Sequence, residues 1–136
     1  MLALFTGLKA IWDGSTPEAV SVRAKVPGGF WKWPAAKGTT RPYVTMRAVG
    51  SDTPGGNFSS GGHEYVDGAT IQFSVWVAEH ESDRAWEIVA LLKALLDNRC
   101  SDATGIGVRR MNPGNEMMDS DGGFGVHVDY RYTWQS

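Results

Sequence analysis

Period-two alternation of apolar and polar residues dominates the pattern of this chain. Phe124, Val126, Val128, Tyr130, Tyr132 and Trp134 alternate with Gly125, His127, Asp129, Arg131 and Thr133. That spacing predicts a strand with one face on a core. Within His63 to Ala78 the period recurs, with Ile71, Phe73, Val75 and Val77 on one face and Gln72, Ser74 and Trp76 on the other. Tyr43 to Val49 reads as a third strand, its start set by Pro42, which holds Arg41 extended. Phe30-Trp31-Lys32-Trp33-Pro34 is an aromatic extended piece that the proline confines to a sheet edge. Gly105 to Met111 predicts a further strand, followed by a turn at Asn112-Pro113-Gly114-Asn115.

The helical period appears twice. Leu4, Phe5, Leu8, Ile11 and Trp12 form one apolar stripe, ended by Asp13-Gly14. Ala85, Ile88, Val89, Leu92, Leu95 and Leu96 form a wider one, with Ser82 or Asp83 as the expected cap and Glu87 and Lys93 pointing away. Between them, Ser15-Thr16-Pro17-Glu18 carries the marks of a helix start. Val20, Val22, Ala24 and Val26 nevertheless alternate with Ser21, Arg23 and Lys25 like a strand. The segment is ambiguous on pattern alone.

Strands before and after one long helix predict an α+β fold. The expected architecture is a mainly antiparallel or mixed sheet of about four or five strands, with the N-terminal helix and the long amphipathic helix on one face. The chain of 136 residues is expected to form a single domain spanning 1–136. Within it, Gly50 to Gly62 (GSDTPGGNFSSGG) consists of turn formers around Phe58. A loop of that length inside a compact domain is functional or mobile.

Composition narrows the functional classes. A hydrophobic share of 42% and a charged share of 21% are ordinary for a globular domain and speak against global disorder. A net charge of −2 supplies no basic footprint for stand-alone nucleic-acid recognition. No apolar run reaches the roughly 20 residues that span a bilayer, and MLALFTGLKAIWDG lacks a basic leader, so neither membrane insertion nor secretion is expected. With one cysteine, Cys100, no intrachain disulfide can form.

Catalytic chemistry has no signature here. His63, His80, His127 and Cys100 share no metal-ligand spacing, and Glu116, Asp119 and Asp121 lack the remaining oxygen ligands of a calcium loop. NEMMDSDGG is therefore read as a solvated hairpin loop. No G-x-S-x-G elbow or phosphate-cradling loop is present. His127, Asp129 and Arg131 share one strand face and could line a pocket in a small ligand-binding or enzyme domain. Six tryptophans are an excess for one small core, and Trp31, Trp33 and Trp76 lie on faces the core need not claim. Together with Phe58 and Arg131 they are the candidate interface residues, being of types enriched at, or placed for, contact with partners.

Read in order, Val26-Pro-Gly-Gly-Phe-Trp, Pro34-Ala-Ala-Lys-Gly-Thr39, Arg41-Pro-Tyr-Val44, Ala69-Thr-Ile-Gln-Phe-Ser-Val-Trp76 and the helix ending Leu95-Leu96-Asp97 resemble tail-completion proteins of long-tailed bacteriophages. The turn reads PAAKGTT where that family has A-P-x-G-T. The resemblance implies a tail terminator: a non-enzymatic virion subunit without cofactor or metal, assembled in the host cytoplasm into a ring, usually hexameric. The ring would lie in the neck, at the head-proximal end of the tail tube, where it stops tube growth and meets the head-completion or connector protein. DNA would pass through its lumen without sequence-specific binding; the sequence leaves open whether Arg23, Lys25 or Arg131 faces it. A head-closure or adaptor subunit is the alternative the same resemblance leaves open.

Overall fold

Among the described residues, three helices pack on one face of a six-stranded mixed sheet. The computed structural model describes residues 2–52, 66–97, 107–118 and 123–135. Phe58, His63, Cys100, Asp119, Asp121 and most of the glycine-rich insert lie outside the described residues.

Helix α1 (Leu2–Trp12) buries Leu4, Leu8 and Trp12, the stripe expected from their spacing. Helix α2 (Pro17–Lys25) resolves the ambiguous segment. Thr16 Oγ1 accepts a hydrogen bond from the Ala19 N–H, and Pro17 occupies the first turn. Ala19 and Val22 face the core while Val20 is 51% exposed, so the alternation of valines was coincidental and the capping residues carried the true signal. The Arg23 guanidinium donates to the carbonyls of Trp12 and Gly14 and thereby ties α2 to the end of α1.

Strand β1 (Phe30–Lys32) pairs in parallel with β2 (Tyr43–Asp52), which pairs antiparallel with β3 (Val66–Val77). Helix α3 (Ser82–Leu96) follows, then β4 (Gly107–Arg110), β5 (Asn115–Met118) and β6 (Phe124–Gln135). Strand β6 pairs with β3 along its length, and its other edge receives β4 and β5 end to end, both antiparallel. The sheet order is β1-β2-β3-β6-β4, with β5 beside β4 on β6.

The α+β architecture is the one the patterning predicts. Two local expectations differ. The cap of α3 is Glu81, without a side-chain cap bond, rather than Ser82 or Asp83. The acidic stretch expected as a loop begins with strand β5, because β6 offers a free edge long enough to pair with both segments. The break between β4 and β5 is bridged by Asn112, whose Nδ2 donates to Asp129 Oδ2 at 3.0 Å while the Met111 N–H donates to the Asp129 carbonyl.

Val44, Met46, Ile71, Phe73, Val75, Val126, Val128, Tyr130 and Tyr132 form the sheet side of the core, against Ile88, Val89, Leu92, Leu95 and Leu96 of α3. Phe30 stands between Trp12 of α1 and Phe73 of β3, with ring centroids 5.1 and 6.2 Å away, which joins α1 to the β1 edge. Lys25 and Glu87, 3.0 Å apart, link α2 to α3 at the surface.

Candidate interaction surface on the helix-free sheet face

Because the three helices share one face, the polar positions of the alternating strands end up together on the other. Cross-strand register fixes the rows. Tyr43 stands opposite Trp76 and Trp76 opposite Gly125; Thr45 opposite Ser74 and Ser74 opposite His127; Arg47 opposite Gln72 and Gln72 opposite Asp129. Trp31 joins the second row through Thr45.

Trp33 and Trp76 form the centre of this face. Their ring centroids are 6.1 Å apart, and the Arg47 guanidinium lies 5.8 Å from the Trp33 centroid, within cation–π range. Trp76 Nε1 donates to Thr45 Oγ1 at 3.0 Å, which satisfies both groups although Thr45 is fully buried. Tyr43 and His127 flank the Trp76 ring at 6.5 and 6.2 Å.

Ser74 Oγ and His127 Nδ1 are 2.7 Å apart. Burial holds the His127 imidazole below its ordinary value of 6.5; Arg47 acts in the same direction and Asp129 opposes it. A hydroxyl and an imidazole at this distance could form a nucleophile–base pair. Ser74 is only 4% exposed, however, and lies on the floor of a depression of about 190 Å³ lined by Trp33, Arg47, Gln72, Trp76, Met117 and His127. That volume is below the roughly 300 Å³ at which ligand pockets begin. The contact works as a fixed hydrogen bond that orients the imidazole.

Of the three strand-face residues expected to line one pocket, the depression takes His127. Asp129 is held by Asn112, and Arg131 lines a separate open hollow with Val108, Arg109 and Thr133. The Arg131 guanidinium lies over Gly68, where a Cβ would come within 2.4 Å of Nη2. The three residues do not converge. Among the described residues, no group of three His, Cys, Asp or Glu side chains is placed to hold a metal ion. No helix among them is long and apolar enough to cross a membrane.

The interface candidates separate into two kinds. Trp31 and Trp33 are 38% and 43% exposed at the β1 edge. Trp76, expected as a contact residue, is 4% exposed: Trp33, Tyr43 and His127 cover it, so it supports the surface without presenting much of itself. Arg131 is half-buried, and Phe58 lies outside the described residues. Residue types alone did not single out Thr45, Ser74 or Met117. Gly125 carried a usable signal, as a glycine inside a strand whose missing side chain leaves room for Trp76.

Compared with models of known protein families the chain matches none, and compared with curated proteins it likewise finds no match.

Proposed function

We propose that this protein is a structural assembly subunit: a phage tail terminator that forms a ring at the head-proximal end of the tail tube, ends tube growth and joins tail to head. The observation that carries the reading is the pair of exposed indoles, Trp31 on the short edge strand β1 and Trp33 immediately after it. Exposed aromatic side chains on an unpaired edge are suited to contact with another chain. The order of segments shared with tail-completion proteins gives that contact its biological setting. Among the described residues, the helices lie on one face and no strand pairs with the outer edge of β1 or β5, which leaves these surfaces for partners.

The test is tube capping. Purified protein added to polymerising tail-tube subunits should halt elongation and be seen by electron microscopy at one end of each tube. Tubes that grow to the same length distribution with and without it, and carry no added density at either end, would refute the reading. Replacing Trp31 and Trp33 together by Ala should abolish capping while leaving the circular dichroism spectrum unchanged.

A further inference from the structure

The two edges of the sheet, β1 and β5, lie at the same level. One row runs Phe30, Val44, Val75, Val126, Glu116, and the next runs Trp31, Thr45, Ser74, His127, Asn115. No described strand pairs with the outer edge of either, and no backbone hydrogen bond from another described loop reaches Phe30 or Lys32. Such an edge is a template for a further strand.

What each edge carries decides which strand fits. On the helix side, β1 presents Lys32 and β5 presents Glu116, both exposed. On the helix-free side, β1 presents Trp31, and β5 presents Asn115 and Met117. Pairing β1 with a second β1 would bring lysine to lysine on one short ladder, and pairing β5 with β5 would bring glutamate to glutamate. Like charges so placed are destabilising, whereas β1 against β5 sets opposite charges on one face and a methionine against an indole on the other.

Resting on the assembly reading above, we infer that β5 of one copy pairs with β1 of the next and continues the sheet from subunit to subunit. Strand β1 runs parallel to β2, and β5 runs opposite to β6, which lies two antiparallel steps from β2. The join is therefore antiparallel when neighbouring copies share one orientation. A level join sets Asn115 opposite Trp31 and places Glu116 diagonally to Lys32 on the helix side, within reach of both long side chains. Because the two surfaces differ, the contact is heterologous, the kind that forms a ring when its rotation closes.

Charge exchange tests this. Lys32→Glu and Glu116→Lys should each weaken self-assembly by about tenfold, read as the concentration at which the mass of the assembly halves. Mixed in equal amounts, the two variants should assemble as the original chain does, since each then meets only opposite charge. Glu116 accepts a hydrogen bond from Trp86 Nε1, so folding of its variant is checked by circular dichroism. Independently, Trp31→Cys with Asn115→Cys in a Cys100→Ser background should give, on oxidation, a ladder of covalent multimers beyond the dimer. Rings that form equally well from either charge variant alone would overturn the edge contact and leave the ring standing. Folded variants whose mixture stays dissociated, or a cysteine pair that assembles to the original mass yet yields no ladder, would overturn it too. A chain that neither self-assembles nor caps tubes would remove both readings together.

Discussion

The indole of Trp76 lies across Gly125, its direct neighbour on β6, so closely that a Cβ on Gly125 would stand 2.8 Å from the ring. The ring is 4% exposed and pinned by Tyr43, Thr45, Trp33 and His127, so it cannot swing aside freely. Gly125→Ala should therefore destabilise the fold by about 1–3 kcal/mol, the usual cost of overpacking. Chemical denaturation measures this, and an unchanged midpoint would mean that the Trp76 ring is mobile.

Thr45→Val keeps the shape of the side chain and removes the acceptor for Trp76 Nε1. A buried indole N–H left without a partner costs about 1–3 kcal/mol. Trp76→Phe should cost less in the Thr45→Val background than in the original chain, because the donor it removes is already orphaned there. A double-mutant cycle of the two residues measures the coupling.

His127 gives the protein a pH dependence on the acid side. Its folded value is held below 6.5 chiefly by burial, so the unfolded chain takes up a proton first as pH falls. Stability present above pH 6.5 is thus lost progressively below it. A histidine titration followed by NMR should place the His127 midpoint below 6.5, and His127→Gln should flatten the acid limb of stability against pH. A midpoint at or above 6.5 would contradict the buried setting described for the imidazole.

Tyr130 acts on the alkaline side. It is fully buried, and burial, followed by the bond from its Oη to Asp97 Oδ1 at 2.7 Å, pushes the phenol far above its ordinary 10.0. The folded state keeps this proton where the unfolded state loses it, so stability falls as pH rises through 10.0. Tyr130→Phe should make that fall shallower, and ultraviolet titration of the native protein should show a phenol that ionises only on unfolding.

How much of this was legible in the sequence follows from how strongly two faces of an element differ. β3 and β6 announce themselves because one side of each is apolar and buried while the other is polar. α3 does so through six apolar residues at helical spacing. α2 was obscured because Val20 and Ala24 are apolar yet exposed, so they completed a false period of two. β5 was obscured because its pattern Asn-Glu-Met-Met has no buried face of its own and depends on the edge of β6. At the candidate surface, the exposure of Trp31 and Trp33 followed from their place beside Pro34 on an edge. The burial of Trp76 did not, because it depends on Gly125, a neighbour only through the sheet register.

Assembly into a ring is the central claim, and the mass of the purified protein in solution, followed by negative-stain imaging, tests it most directly. A closed ring is expected, hexameric by the resemblance to tail terminators, and its mass should drop when Trp31 and Trp33 are both replaced by Ala. A monodisperse monomer at high concentration that also fails to form a ring on tail tubes would contradict it.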